Sequence, residues 1–181
     1  MATTQYLFAG FGGQGILFSG KLLAYKGLID GMNVSWLPSY GPEMRGGTAS
    51  CGVVISDKEV ASPIVVTPDV LIAMNLPSLD RYESAVRPGG MIFVDSTLVE
   101  RKVERTDVQV FYVPATKIAS DHNIPKMANI ILMGKVLAET NGFENEQAVV
   151  DALKKVVSAK HADMLDVNLN AMKIGRDYQE G

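Results

Sequence analysis

The sequence predicts an open α/β sheet, mostly parallel, with helices on both faces, in a single domain covering residues 1–181. Three observations carry that expectation. Short apolar runs alternate with longer helical segments over most of the chain. A glycine cluster, GFGGQG at residues 10–15, stands between the first apolar run and the first helical one. The 181 residues, 47% of them hydrophobic, suffice for one substantial core, and no linker, repeat or low-complexity tract divides them.

Each element follows from local pattern. Residues 5–9 form a short apolar strand. After the glycines, ILFSGKLLAYKGLIDG places Ile16, Leu17, Leu22, Leu23 and Ile29 in one largely buried helix that Gly31 stops. NVSWL (residues 33–37) is a second strand, and TASCGVVIS (48–56) a third, its Val53, Val54 and Ile55 suited to a pleated surface. The polar turn at residues 57–59 lets that strand return as a hairpin through Val60. VLIAMN (70–75) and MIFVDS (91–96) are apolar runs ending in polar residues, the pattern of central parallel strands, with a short helix over 78–86 and a Pro88-Gly89-Gly90 break between them. VQVFYV (108–113) is the last strand, followed by helices over 115–120, 127–140, 145–159 and 162–178.

Composition excludes several classes. No run of about eighteen apolar residues could span a bilayer, and the N-terminus lacks the basic start and cleavage pattern of a secretory signal, so a cytoplasmic protein with no membrane partner is expected. The single cysteine, Cys51, permits no intramolecular disulfide and no iron-sulfur cluster, which usually takes four thiolates. A formal net charge of -3 without a Lys/Arg block argues against nucleic acid.

Within GFGGQG, Gly10, Gly12 and Gly15 fit G-x-G-x-x-G, where missing side chains allow a tight turn and let a phosphate reach a helix N-terminus. A Rossmann-like NAD site also needs an acid at the end of the second strand to hold the ribose, and that strand ends in Trp36-Leu37-Pro38. A structural turn that also cradles a phosphate or a partner is the alternative. The G-x-x-x-x-G-K at residues 15–21 is followed by Leu22 rather than Ser or Thr, so it is no P-loop. His122 and His161 are far apart and read as capping or surface residues, and Cys51 as a small core residue. Asp95, at a strand end, either faces a ligand or caps the next turn.

The stretch PSYGPEMRGG (residues 38–47) leaves the end of the second strand and belongs on the carboxyl edge beside the glycine turn, the rim where ligand sites collect. Arg45 offers a five-donor fork for a carboxylate or phosphate, Tyr40 and Met44 offer apolar area, and Glu43 is a further polar candidate. Such a loop reads as a recognition surface rather than a spacer.

GFGGQG, PSYGPEMRGG and MANIILMG (residues 127–134), in this order, resemble the gamma subunit of the 2-oxoacid:ferredoxin oxidoreductases over nearly the whole chain. The resemblance implies a Rossmann-like subunit of an enzyme that oxidatively decarboxylates a 2-oxoacid to an acyl-CoA and reduces ferredoxin. Thiamine diphosphate, magnesium and iron-sulfur clusters would be held by alpha, beta and delta partners or their fused equivalents, and this chain would bind no cofactor alone. It further implies that Gly10, Gly12, Gly13, Gln14, Gly15 and Arg45, then Glu43 and Tyr40, line the coenzyme A approach or a subunit interface, with no catalytic or metal-binding residue on this chain. A lone subunit of this kind is expected to pair as a homodimer when its partners are absent. A free-standing nucleotide- or CoA-binding module is the alternative. A 2-oxoglutarate or branched-chain substrate is favoured because a short, separate gamma chain is similar to those systems.

Overall fold

The computed structural model describes residues 3–39 and 48–180. Its strands are β1 (Thr4–Phe11), β2 (Asn33–Ser39), β3 (Thr48–Ser56), β4 (Val70–Ala73), β5 (Met91–Asp95) and β6 (Gln109–Val113). Its helices are α1 (Ile16–Ile29), α2 (Leu76–Tyr82), α3 (Ala115–Asp121), α4 (Ala128–Glu139), α5 (Glu146–Val156) and α6 (Met164–Asp177). The strands make one sheet in the order β2-β3-β1-β4-β5-β6. The pairings of β1 with β4, β4 with β5 and β5 with β6 are parallel, whereas β3 runs antiparallel to both β1 and β2. The mostly parallel α/β sheet expected from the sequence is therefore present, with one reversed strand inserted.

That inserted strand corrects one expectation. The hairpin through Val60 does not form, and residues 57–69 contain no strand. Both edges of β3 are already taken, by β2 on one side and β1 on the other, so no free edge exists for a returning strand. Pro38 sits in β2, where an edge position leaves its missing N–H without consequence for the ladder.

Alternation along the strands sends side chains to two unequal layers. Phe8, Cys51, Ile72 and Phe93 face a core built with α1, α3, α4, α5 and α6. Leu7, Leu71 and Ile92 face the other side, where Leu79 of α2 covers them. Helices lie on both faces as expected, five against one. The central helix is α4, whose residues Asn129 to Leu137 are all buried. Burying a Leu or Ile fully contributes about 1.5–3 kcal/mol, which is what draws this apolar helix inside. Its Lys135 is carried with it and donates to Glu139 Oε1 at 2.6 Å and to the Tyr178 carbonyl at 3.3 Å.

Helix ends follow local chemistry. Gly31, at φ 77°, ends α1 with its N–H on the Leu28 carbonyl and the Met32 N–H on the Gly27 carbonyl, both at 3.0 Å. Ile29, at this exit, is exposed rather than buried as its spacing suggested. Asn75 Oδ1 accepts from the Ser78 N–H at 2.8 Å, which starts α2 two residues earlier than the sequence pattern indicates. Among the described residues no helix is long and apolar enough to cross a membrane.

Candidate ligand and partner site

The chain leaves β1 at Phe11 and enters α1 at Ile16, with Gly12, Gly13, Gln14 and Gly15 between them. Gly13 (φ 91°) and Gly15 (φ 77°) hold left-handed conformations that an L side chain would strain. Gly10 is still within β1, paired with Ala49, and a Cβ there would stand 2.7 Å from Gln14 Oε1. The motif's first glycine thus makes room for the motif's glutamine.

Gln14 spends its side-chain amide on the frame. Its Oε1 accepts from the Phe11 N–H at 2.6 Å and, at 3.5 Å, from Asn75 Nδ2, while its Nε2 donates to the Met74 carbonyl at 2.9 Å. It therefore braces the end of β1 against the end of β4. These are the two strands from which α1 and α2 depart to opposite faces, so the brace spans the topological switch point where open α/β sheets bind ligands. Beside it, a Cβ on Gly12 or Gly13 would meet nothing within 4 Å among the described residues, which leaves their backbone open on that side. The N-terminus of α1 has no side-chain cap, so its amides and positive dipole end face the same opening.

A second clamp fixes the other wall. Asn129, buried at the start of α4, donates from Nδ2 to the Gly15 carbonyl at 3.2 Å and to Ser19 Oγ at 3.1 Å. A Cβ on Gly15 would collide with this amide, a second reason for glycine there. Between the two helix starts lies a cleft of about 350 Å³ lined by Gly13, Gln14, Met74, Thr116, Lys126 and Asn129 among others. Lys126 makes no ion pair among the described residues, so the cleft combines a free cation with open amides. That chemistry suits an anion, and a phosphate in particular.

The other candidates resolve into structural roles. Asp95 is fully buried and accepts from the Thr97 N–H at 3.1 Å and from Thr116 Oγ1 at 2.6 Å, so it holds the β5 exit and the start of α3 rather than a ligand. His122 ends α3 and His161 lies in a single 3₁₀ turn, both exposed. Cys51 is fully buried beneath α1, and burial, opposed by a hydrogen bond donated by the Trp36 indole N–H, pushes its thiol up to about 12. It is unreactive near neutrality. Tyr40, Glu43, Met44 and Arg45 lie outside the described residues; the flanking strand ends, Ser39 and Thr48, are on the carboxyl edge, with Thr48 paired to Phe11. A dinucleotide redox site is opposed by strand order, because β3 separates β2 from β1 and moves any ribose-binding acid away from the glycine turn.

A larger cavity, about 460 Å³, sits at the opposite edge among Lys26, Asp30, Thr140 and Asn145. Its Lys26 and Asp30 are already engaged with each other: Asp30 takes Lys26 Nζ at 2.5 Å and Asn145 Nδ2 at 2.9 Å. The carboxyl-edge cleft is smaller, but its Lys126 has no ion-pair partner among the described residues. Asn129, Asn75 and Lys126 escaped nomination from sequence. Asn129, polar within an apolar run, carried a signal, and so did Asn75 at the end of VLIAMN, whereas nothing local distinguished Lys126 from any surface lysine.

Residues 5–178 match the family described as POR, pyruvate ferredoxin/flavodoxin oxidoreductase. The chain belongs to this family. The POR match runs from the second residue of β1 to the end of α6 and so contains nearly the whole sheet and both the GFGGQG and PSYGPEMRGG stretches. The chain is 41% identical over 170 residues to the ketoisovalerate oxidoreductase subunit VorA of Methanothermobacter marburgensis, covering 94% of this chain and 35% of VorA. It is 36% identical over 159 residues to the 2-oxoglutarate synthase subunit KorC of Methanocaldococcus jannaschii, covering 84% of this chain and 85% of KorC. Among solved structures it is similar to the keto/oxoacid ferredoxin oxidoreductase gamma subunit of Geobacter sulfurreducens, with a TM-score of 0.80, 28% identity and 95% of each chain covered. The chain thus spans about a third of the VorA polypeptide and most of the KorC one.

Proposed function

We propose that this chain is the gamma subunit of a cytoplasmic 2-oxoacid:ferredoxin oxidoreductase, and that its glycine turn forms part of the coenzyme A approach. The assembled enzyme would convert a 2-oxoacid and coenzyme A to acyl-CoA and carbon dioxide while reducing ferredoxin. The observation that carries the site is the Gln14 brace, which holds Gly12 and Gly13 open at the switch point beside an uncapped helix start and Lys126. An open backbone, a helix dipole and a free ammonium are the groups a coenzyme A diphosphate would use. Arg45, Glu43 and Tyr40 join this proposal on sequence grounds.

The residues of this chain do not fit the assembly's other groups. Cys51 is a single buried thiol, far from the four thiolates a cluster usually takes. Asp30, in the chain's only Asp-Gly pair, is committed to Lys26 and Asn145 and offers nothing to a thiamine-bound metal. Thiamine diphosphate, magnesium and the clusters therefore fall to partner chains of alpha, beta and delta type or their fused equivalents. The kinship to VorA and KorC supports a branched-chain 2-oxoacid or 2-oxoglutarate as substrate.

The test is anaerobic co-purification with native partners, an iron and thiamine assay of the product, and coenzyme A titration followed through Trp36, the sole tryptophan. The isolated chain is expected to show no turnover, and the assembly is expected to form acyl-CoA with reduction of ferredoxin. Arg45→Ala should weaken coenzyme A-dependent turnover without lowering Tm; unchanged kinetics and complex mass would remove Arg45 from the site. Saturable NAD(P) binding by the isolated chain would overturn the subunit reading in favour of a dehydrogenase. Coenzyme A binding by an assembly inert toward every 2-oxoacid would leave only a binding module.

A further inference from the structure

The two faces of the sheet differ in what they leave exposed. Nine large apolar side chains stand exposed among the described residues. Three of them, Leu28, Ile29 and Trp36, belong to α1 or to the face that α1 covers. The other six, Phe11, Leu37, Ile64, Val66, Leu76 and Leu98, group with the α2 face. Phe11 shares the strand parity of Leu7 and Ala9, and Leu37 lies opposite Gly52, which lies opposite Leu7. Val65 packs onto Gly52 and the α2-side core, and its neighbours Ile64 and Val66 turn outward, 61% and 72% exposed. Leu76 opens α2, and Leu98 precedes Val99 of the same core. Five helices close one face, whereas α2 and an irregular segment close the other incompletely.

An apolar surface of this kind rimmed by charges marks a protein interface. The rim is present: Arg101 pairs with Asp80 at 2.9 Å and Glu83 at 2.7 Å, and Arg105 with Asp107 at 2.5 Å, so these charges are satisfied within the chain and are not themselves the attraction. The occupant follows from the comparison of lengths. This chain accounts for 35% of VorA, so in that relative some two-thirds of the polypeptide lies outside the matched portion. A separate companion chain corresponding to that remainder would need a surface here, and the five-helix face is already closed by its own helices.

We propose that the α2 face, centred on Ile64, Val66, Leu37 and Leu76, is the docking surface for the companion chain that corresponds to the remainder of the longer relatives. This rests on the subunit reading above. It also places the apolar contact next to Phe11, at the base of the glycine turn, so that docking and the proposed coenzyme A approach share one rim.

The experiment is reconstitution of the full chain with that companion, read by native mass and by amide hydrogen exchange of both free and assembled protein. The expected result is protection of residues 62–66 and 76–82 on assembly, and a loss of affinity of about tenfold or more in the double variant Ile64→Lys, Val66→Lys. Both positions are exposed, so Tm and the free-chain exchange pattern should not change, which separates lost docking from lost folding. Leu28→Lys, on the other side, should assemble normally. Assembly with protection on α5 and α6, or unimpaired assembly of the double variant, overturns the face while leaving the subunit reading intact. Protection of the same residues in a self-dimer that excludes the companion makes a second copy the occupant and overturns the proposal. Failure of the unmodified chain to assemble at all overturns the subunit reading and the docking face together.

Discussion

At the end of β1, a Cβ added to Gly12 would meet nothing within 4 Å among the described residues; where α4 crosses α6, a Cβ on Gly175 would collide with the Ile131 carbonyl, and one on Gly134 with the Met172 carbonyl. Both regions are glycine-bearing stretches on a helix or at its start. In the first, the missing side chain exposes backbone to whatever approaches; in the second it lets two helix backbones touch, with no space left over. A glycine in open space whose conformation does not demand one points to a ligand or partner, and a glycine against a carbonyl points to packing. Gly15 lies between these cases, strained by its φ of 77° and pressed by Asn129.

The sharpest way to break this comparison is Gly175→Ala. Its Cβ would strike backbone, which cannot rotate away, so α6 must separate from α4. A loss of about 1–3 kcal/mol or more is expected, read as a falling denaturation midpoint with unchanged m-value. An unchanged midpoint would mean the helices slide apart without cost and the seam is not packed as described.

Gln14→Ala comes next. It removes two well-made hydrogen bonds, to the Phe11 N–H and the Met74 carbonyl, and should cost about 1–2 kcal/mol in urea unfolding. In the assembled enzyme, KM for coenzyme A should rise more than kcat falls, because the brace shapes the turn rather than reacting. A stability loss with unaltered kinetics would confine Gln14 to the fold.

Gly12→Ala should leave stability within about 0.5 kcal/mol, since its Cβ enters open space and the position does not need a left-handed φ. The same methyl should obstruct the proposed approach and raise KM for coenzyme A severalfold. Normal stability with normal KM would place the ligand elsewhere and remove the functional half of the comparison.

A last effect comes from the α2 side and serves as a control on both glycine regions. Burial raises the Glu83 carboxyl, but hydrogen bonds from Arg101 and from the Glu104 and Arg105 N–H groups outweigh it and hold the group below the ordinary glutamate range. A depressed folded-state value contributes stability that is present above the unfolded value and lost as pH falls through the folded one. Glu83→Gln should therefore lower stability slightly at neutral pH, where the ionised carboxyl contributes, and flatten the acid limb, so that variant and parent converge as pH falls through the folded value. An identical acid limb would show that Glu83 is not an anchor of residues 101–105.

Much of this was legible in residue patterns. Strands over VLIAMN and MIFVDS, the helix starting at Ile16 and its stop at Gly31 follow from apolar runs, periodicity and glycine's access to left-handed φ, all local quantities. The glycine turn was legible as a candidate site for the same reason. What local chemistry could not supply was the partner of each group. Gln14 reads as one polar residue in a glycine turn until Met74 and Asn75 arrive from 60 and 61 positions away. Asn129 acquires a role only through Gly15, 114 positions earlier. The place of β3 between β2 and β1 depends on which edges are free, a property of the whole sheet.

The sequence by itself determined the α/β class, the order of elements, the kinship to the oxidoreductase family and the position of the glycine turn, because these rest on periodicities and motifs that neighbouring residues share. Only the tertiary structure decided that the turn is braced across the switch point, that β3 bars a dinucleotide site, and that the apolar surface left over lies on the α2 side. Each of those depends on contacts between residues distant in the chain, and burial, pairing and steric exclusion arise only once the chain has closed upon itself.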